Sequence, residues 1–102
     1  MPENPLKPLE KLDPQLLGLV NDCRDCALTD GALSRKMKLL IAMALDAAHG
    51  TESGVASLAN QAVKAGATKE EVMDALRVAY FIAGAGAVYT AARALKEVFP
   101  GQ

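Results

Sequence analysis

The sequence predicts an all-α helical bundle, and three observations carry that prediction. Apolar residues recur at three- and four-residue steps along most of the chain. Helix-start chemistry stands at Asp13-Pro14, at Ser34 and at Thr68. No stretch of strand length alternates apolar with polar residues. Composition agrees: the 102 residues are 51% hydrophobic but only 4% aromatic, so the apolar content is mostly Ala, Leu, Val, Ile and Met. Ala and the unbranched residues among these lose little freedom in a helix. The length fits one domain, with an N-terminal arm over 1–12 and a helical domain over 13–99.

Three of the five prolines, Pro2, Pro5 and Pro8, fall in the first dozen residues, which read as an extended arm. Asp13 then caps a first helix over Pro14–Leu28, with proline in its first turn. Its apolar face starts at Leu16, Leu17, Leu19 and Val20 and continues to Cys23 and Ala27, and Thr29-Asp30-Gly31 closes it. Ser34 caps a second helix whose inner face is Met37, Leu40, Ile41, Ala44, Leu45 and Ala48. His49-Gly50 ends it, a cation-capable side chain followed by a glycine stop. A third helix starts within Thr51–Ser53 and runs to Ala65, with Gly66 after it. Thr68 and Glu71 form a capping box for a fourth, whose inner face is Val72, Leu76, Ala79 and Tyr80. Gly84 and Gly86 break the long apolar run, giving a fifth helix from about Ala87 to Val98.

The second helix and the last two are apolar almost all the way round, as in "IAMALDAA" and "VAYFIAGAGAVYTAA". A chain this short has few fully enclosed positions. Such helices need cover from another subunit, so a homo-oligomer is expected. A net charge of −1 and a pI near 5.7 give no footprint for nucleic acid or an anionic membrane. Neither a signal-peptide core nor a spanning segment is present, which makes a cytoplasmic protein the expectation.

The order "DGALSRKMKLLIAMALDAAHG", a short helix, then "AVKAGATKEEVMDALRVAYFIAGAGAVYTAARAL" resembles the carboxymuconolactone decarboxylase family, which includes the AhpD-like alkylhydroperoxidases. The pieces that carry it are Asp30-Gly31-Ala32-Leu33, the turn Ala65-Gly66-Ala67-Thr68-Lys69-Glu70-Glu71, and Ala83-Gly84-Ala85-Gly86. The resemblance implies an all-helical domain and a homo-oligomer, often a trimer or hexamer. It also implies either a Glu, CxxC and His relay for peroxide chemistry or a decarboxylase pocket without the dithiol. Counted back from the Ala65–Thr68 turn, the two cysteine positions fall on Thr51 and Gly54. The histidine position falls on Leu58 and the glutamate position on Leu39. None of these groups is retained, and the histidine of the decarboxylases is absent with them.

The residues that can carry chemistry lie elsewhere. Cys23 and Cys26, the only cysteines, have CxxC spacing, which in a reducing compartment points to redox or metal use. One thiolate would attack and the other resolve. A reactive thiolate is favoured at a helix N-terminus or beside a cation. This pair sits in the C-terminal half of its helix, between Asp22 and Asp25. The plain alternative is that both pack on the apolar face. One CxxC and one histidine do not complete a four-ligand zinc site, although two subunits would bring four cysteines to a symmetry axis. His49 lies three residues after Asp46, so the two share a face and can act as a base with its orienting carboxylate. His49 can equally do no more than satisfy helix carbonyls. Asp46, inside an apolar run, needs a partner. Glu52 is the acid nearest the former redox position, and Tyr80 and Tyr89 flank the glycine segment. These residues read as an AhpD-like thiol-dependent oxidoreductase, of peroxidase or disulfide-reductase type. Its catalytic residues are Cys23, Cys26, His49 and Asp46, it has no cofactor or metal, and its substrate is a small peroxide or thiol. The competing expectations are an inactive or ligand-binding oligomeric member and a decarboxylase-type acid–base enzyme.

Overall fold

The computed structural model describes residues 4–101 and contains six helices in the order α1 (Leu9–Leu12), α2 (Pro14–Leu28), α3 (Arg35–His49), α4 (Glu52–Lys64), α5 (Lys69–Ala83) and α6 (Ala85–Val98). The capping chemistry falls where the residues put it. Asp13 accepts from the Leu16 amide, Ser34 from Met37, and Thr68 and Glu71 exchange both bonds of a capping box. Gly50 closes α3 at φ 78°, a left-handed conformation that glycine adopts without a Cβ penalty.

Of the expected 1–12 arm, residues 1–3, with Pro2, lie outside the described residues, and residues 4–12 are not extended. The Leu6 amide bonds the Asn4 side chain, Leu9 bonds the Leu6 carbonyl, and one helical turn follows Pro8. Proline's fixed φ suits the start of a turn, where its missing N–H costs nothing. The glycine break also differs in position. Gly84 alone makes it, at φ 89° and ψ −172°, a region essentially reserved for glycine. Gly86 lies inside α6, which therefore starts two residues earlier than expected.

Helices α3 to α6 enclose the core. Leu39, Met43, Val55 and Val72 are its largest fully buried side chains, and Ala47, Ala59, Ala62, Ala87, Ala91 and Ala94 let the helices approach closely. The tightest packing joins α3 to α4 and α4 to α6, and α5 closes against α3 and α6. Lys36 Nζ to Glu71 Oε2 at 3.0 Å ties α3 to α5. Arg93 Nε to Glu52 Oε1 at 2.7 Å ties α6 to the start of α4.

Three expected faces lie differently. On α3 the buried residues are Leu39, Leu40, Met43 and Ala47, while Met37, Ile41 and Leu45 are exposed. A helix apolar on most of its surface offers two candidate faces, and periodicity picked the wrong one for the three largest side chains. Tyr80 stands outside the α5 core face. On α2 only Leu28 is buried: Leu16, Leu19, Cys23, Cys26 and Ala27 all face outward. The helix packs weakly, chiefly against α1 and α3.

Candidate functional site

Three places compete for function: the α2 thiols, the junction of α3 with α4, and a groove between α3 and α5. On α2, Cys23 and Cys26 are free and exposed. Three residues apart on a helix, their Cβ atoms stand roughly 5–6 Å from each other, against the roughly 3.5–4.5 Å of a disulfide. A bond between them needs local distortion of the helix. Arg24 turns its guanidinium to Asn21 Oδ1 at 3.0 Å.

The C-terminal end of α2 is fastened to the first turns of α3. Arg35 donates to the Leu28 carbonyl at 3.4 Å and Lys38 to the Thr29 carbonyl at 2.7 Å. His49 is the last residue of α3, fourteen residues beyond Arg35, which is about 21 Å along the axis. The thiols and the histidine of one protomer therefore lie towards opposite ends of that helix. The constellation of Cys23, Cys26, His49 and Asp46 is not assembled within a single chain.

At the α3–α4 junction, Asp46 is half-buried and His49 exposed. Neither a hydrogen bond nor an ion pair joins their side chains. The Asp46 carboxylate lies instead against Gly54: a Cβ on Gly54 would meet Asp46 Oδ2 at 2.0 Å and Cγ at 2.8 Å, with Thr51 Cγ2 at 3.2 Å. Gly54 is in the first turn of α4, where Thr51 makes no side-chain capping bond. The Asp46 carboxylate thus lies at the N-terminal, positive end of α4. The missing side chain at Gly54 was the signal for this, and it is not visible without knowing that α3 and α4 form a tight antiparallel turn.

The four family positions are accordingly filled. Leu39 is fully buried, Leu58 packs on the core, and the side-chain space at Gly54 holds the Asp46 carboxylate. Thr51 remains at the surface as the cap of α4. Glu52, near the same place, is engaged by Arg93.

The groove is open and apolar, about 560 Å³ in volume. Met37, Ile41 and Leu45 form one wall and Val78, Ala79 and Ile82 the other, with Glu71 and Asp74 at one end. Both acids are already paired, with Lys36 and Arg77. The Thr68 amide, followed by Lys36, holds the Glu71 carboxyl below the usual carboxylate range. No group of three or more His, Cys, Asp or Glu among the described residues is placed to hold a metal ion. No helix among them is long and apolar enough to cross a membrane.

Residues 14–97 match the model of the carboxymuconolactone decarboxylase family. The crystal structure of an apo carboxymuconolactone decarboxylase family protein from Legionella pneumophila superposes with a TM-score of 0.84 at 34% identity. The alignment covers 89% of this chain and 81% of that one. No curated protein matches the sequence.

Proposed function

This chain belongs to the carboxymuconolactone decarboxylase family, and from that premise we propose that it is an oligomeric member without the family's chemistry, acting as an assembly or binding module. One observation carries the reading: the Asp46 carboxylate occupies the space that a side chain at position 54 would need. A thiol cannot stand there while Asp46 does. With leucine at 39 and 58, the place of the relay holds neither its acid nor its histidine. The apolar surfaces left open on α2, α3 and α5 support a homo-oligomer.

A second reading keeps thiol chemistry but moves it to α2. What favours it is that Cys23 and Cys26 are both free, both exposed and on the same face. One thiolate would displace one sulfur of a small disulfide substrate, forming a mixed disulfide. The other would expel the second sulfur, leaving two substrate thiols and an oxidised α2 pair, which an external dithiol would reduce. With His49 distant, no base of the same chain assists.

One assay separates the two readings. Turnover of a small disulfide and of an alkyl hydroperoxide is followed with dithiothreitol as reductant, for the native chain and for Cys23→Ser/Cys26→Ser. The first reading expects both proteins to match the reductant-only background. Turnover by the native chain that the double variant loses would overturn it in favour of the second.

A further inference from the structure

We propose that the outward stripe of α2 in one copy seats in the α3–α5 groove of the next copy, so that the ring of subunits is built from two different patches. The inference deepens the reading above by naming the surfaces that meet, and it rests on that reading only for the existence of an oligomer.

Area is the first argument. The chain exposes 6982 Å², whereas a folded monomer of 10.7 kDa is expected to expose about 5,500 Å². The excess, roughly 1,500 Å², is close to two patches of about 800 Å² each, which is what a subunit gives to two standard-size interfaces. One contact per subunit leaves half of it uncovered.

The second argument is fit. Leu16, Leu19, Cys23 and Cys26 follow one another at steps of three, four and three, the spacing of a helix–helix seam. Leu16 and Leu19 are 44% and 61% exposed. From Leu16 to Cys26 this stripe spans ten residue steps, about 15 Å, and the groove wall from Met37 to Ala48 spans eleven, about 16 Å. A trough between two packed helices takes a third helix along its length. Helices α3 to α6 pack on one another and each buries three or more residues, whereas α2 buries Leu28 alone.

The chain's own α2 does not fill its own groove. Arg35 reaches both the Leu28 carbonyl and Gln61 of α4, which places the end of α2 on the α4 side of α3. The neighbouring Lys36 reaches Glu71 of α5 and marks the groove side. A stripe and a groove that are different surfaces of one molecule make a heterologous contact, and repetition of that contact with a closing rotation builds a ring. Each contact lays the two thiols of one subunit against a neighbour's groove.

Two double variants test this by complementation. Leu16→Glu/Leu19→Glu spoils the stripe and leaves the groove; Ile41→Glu/Val78→Glu does the reverse. All four positions are exposed, and circular dichroism checks that each variant keeps its helix content. The native chain is expected to be oligomeric by light scattering, each variant monomeric, and an equal mixture of the two to form a heterodimer through the one intact stripe and the one intact groove. A mixture that stays monomeric would overturn the proposal, and so would a single variant that still dimerises through its intact patch, since like would then pair with like. A groove variant that assembles as the native chain does would also overturn it, as expected if the groove holds an apolar small molecule. A monomeric native chain would remove the oligomer itself and the proposed function with it.

Discussion

Helices α2 and α4 are of similar length and both carry apolar side chains at helical spacing, yet their fates differ. Helix α4 buries Val55, Ala56, Ala59 and Ala62 between α3 and α6. Helix α2 buries Leu28, half-buries Leu17 and Val20, and leaves Leu16, Leu19, Cys23 and Cys26 in solvent. Periodicity identifies a face that must be covered, but not the surface that covers it. In α4 the cover is the chain itself; for α2 we assign it to a second copy.

The sharpest way to break that contrast is to cut into the enclosed side. Leu39→Ala removes a fully buried side chain and should cost about 2–5 kcal/mol in urea unfolding. Leu19→Ala on α2, measured at a dilution where the chain is monomeric, should stay within about 0.5 kcal/mol of the native value. Similar costs for both would show that α2 packs within its own chain.

Next in size is the junction of α3 with α4. Gly54→Cys drives a Cβ into the Asp46 carboxylate and should cost about 1–3 kcal/mol. Placing it on Asp46→Ala relieves the collision, so the double variant should be less destabilised than the sum of the two single ones, by about 0.5–3 kcal/mol. Additive losses would mean that Asp46 does not fill that space.

Smaller effects belong to the capped start of α5. Thr68→Ala removes the side-chain acceptor of the Glu71 amide and should cost about 1 kcal/mol. The Glu71 carboxyl is held below the usual carboxylate range, chiefly by the Thr68 amide and then by Lys36. A group whose folded pKa is depressed contributes stability above its unfolded pKa, and loses it as pH falls through the folded one. Glu71→Gln should therefore flatten the acid limb of the stability profile below about pH 4.5 and weaken α5 at neutral pH. An unchanged acid limb would sink this assignment.

Much of the fold was legible because caps and stops are local. Asp13-Pro14, Ser34, His49-Gly50 and the Thr68–Glu71 box mark boundaries of three long helices, α2, α3 and α5, within a residue or two, since each depends on hydrogen bonds inside one turn. Residues 4–12 turn rather than extend because proline forbids a helix interior but suits a helix start. The inner face of α3 was misjudged because Met37, Ile41 and Leu45 are as apolar as the residues that go inside. The functional residues were harder. Cys23, Cys26, His49 and Asp46 were nameable one by one, but their separation depends on how α2 leaves α3. The pairing of Asp46 with Gly54 joins residues on two helices, and a glycine gives no hint of what fills its missing side chain.

The most direct test of the assembly is the rate at which Cys23 and Cys26 react with iodoacetamide as protein concentration is raised. If α2 is covered by a neighbouring subunit, both thiols react at the rate of free exposed thiols in dilute solution and become protected as the oligomer forms. A rate that does not change with concentration, while light scattering records assembly, would contradict it and leave α2 outside the interface.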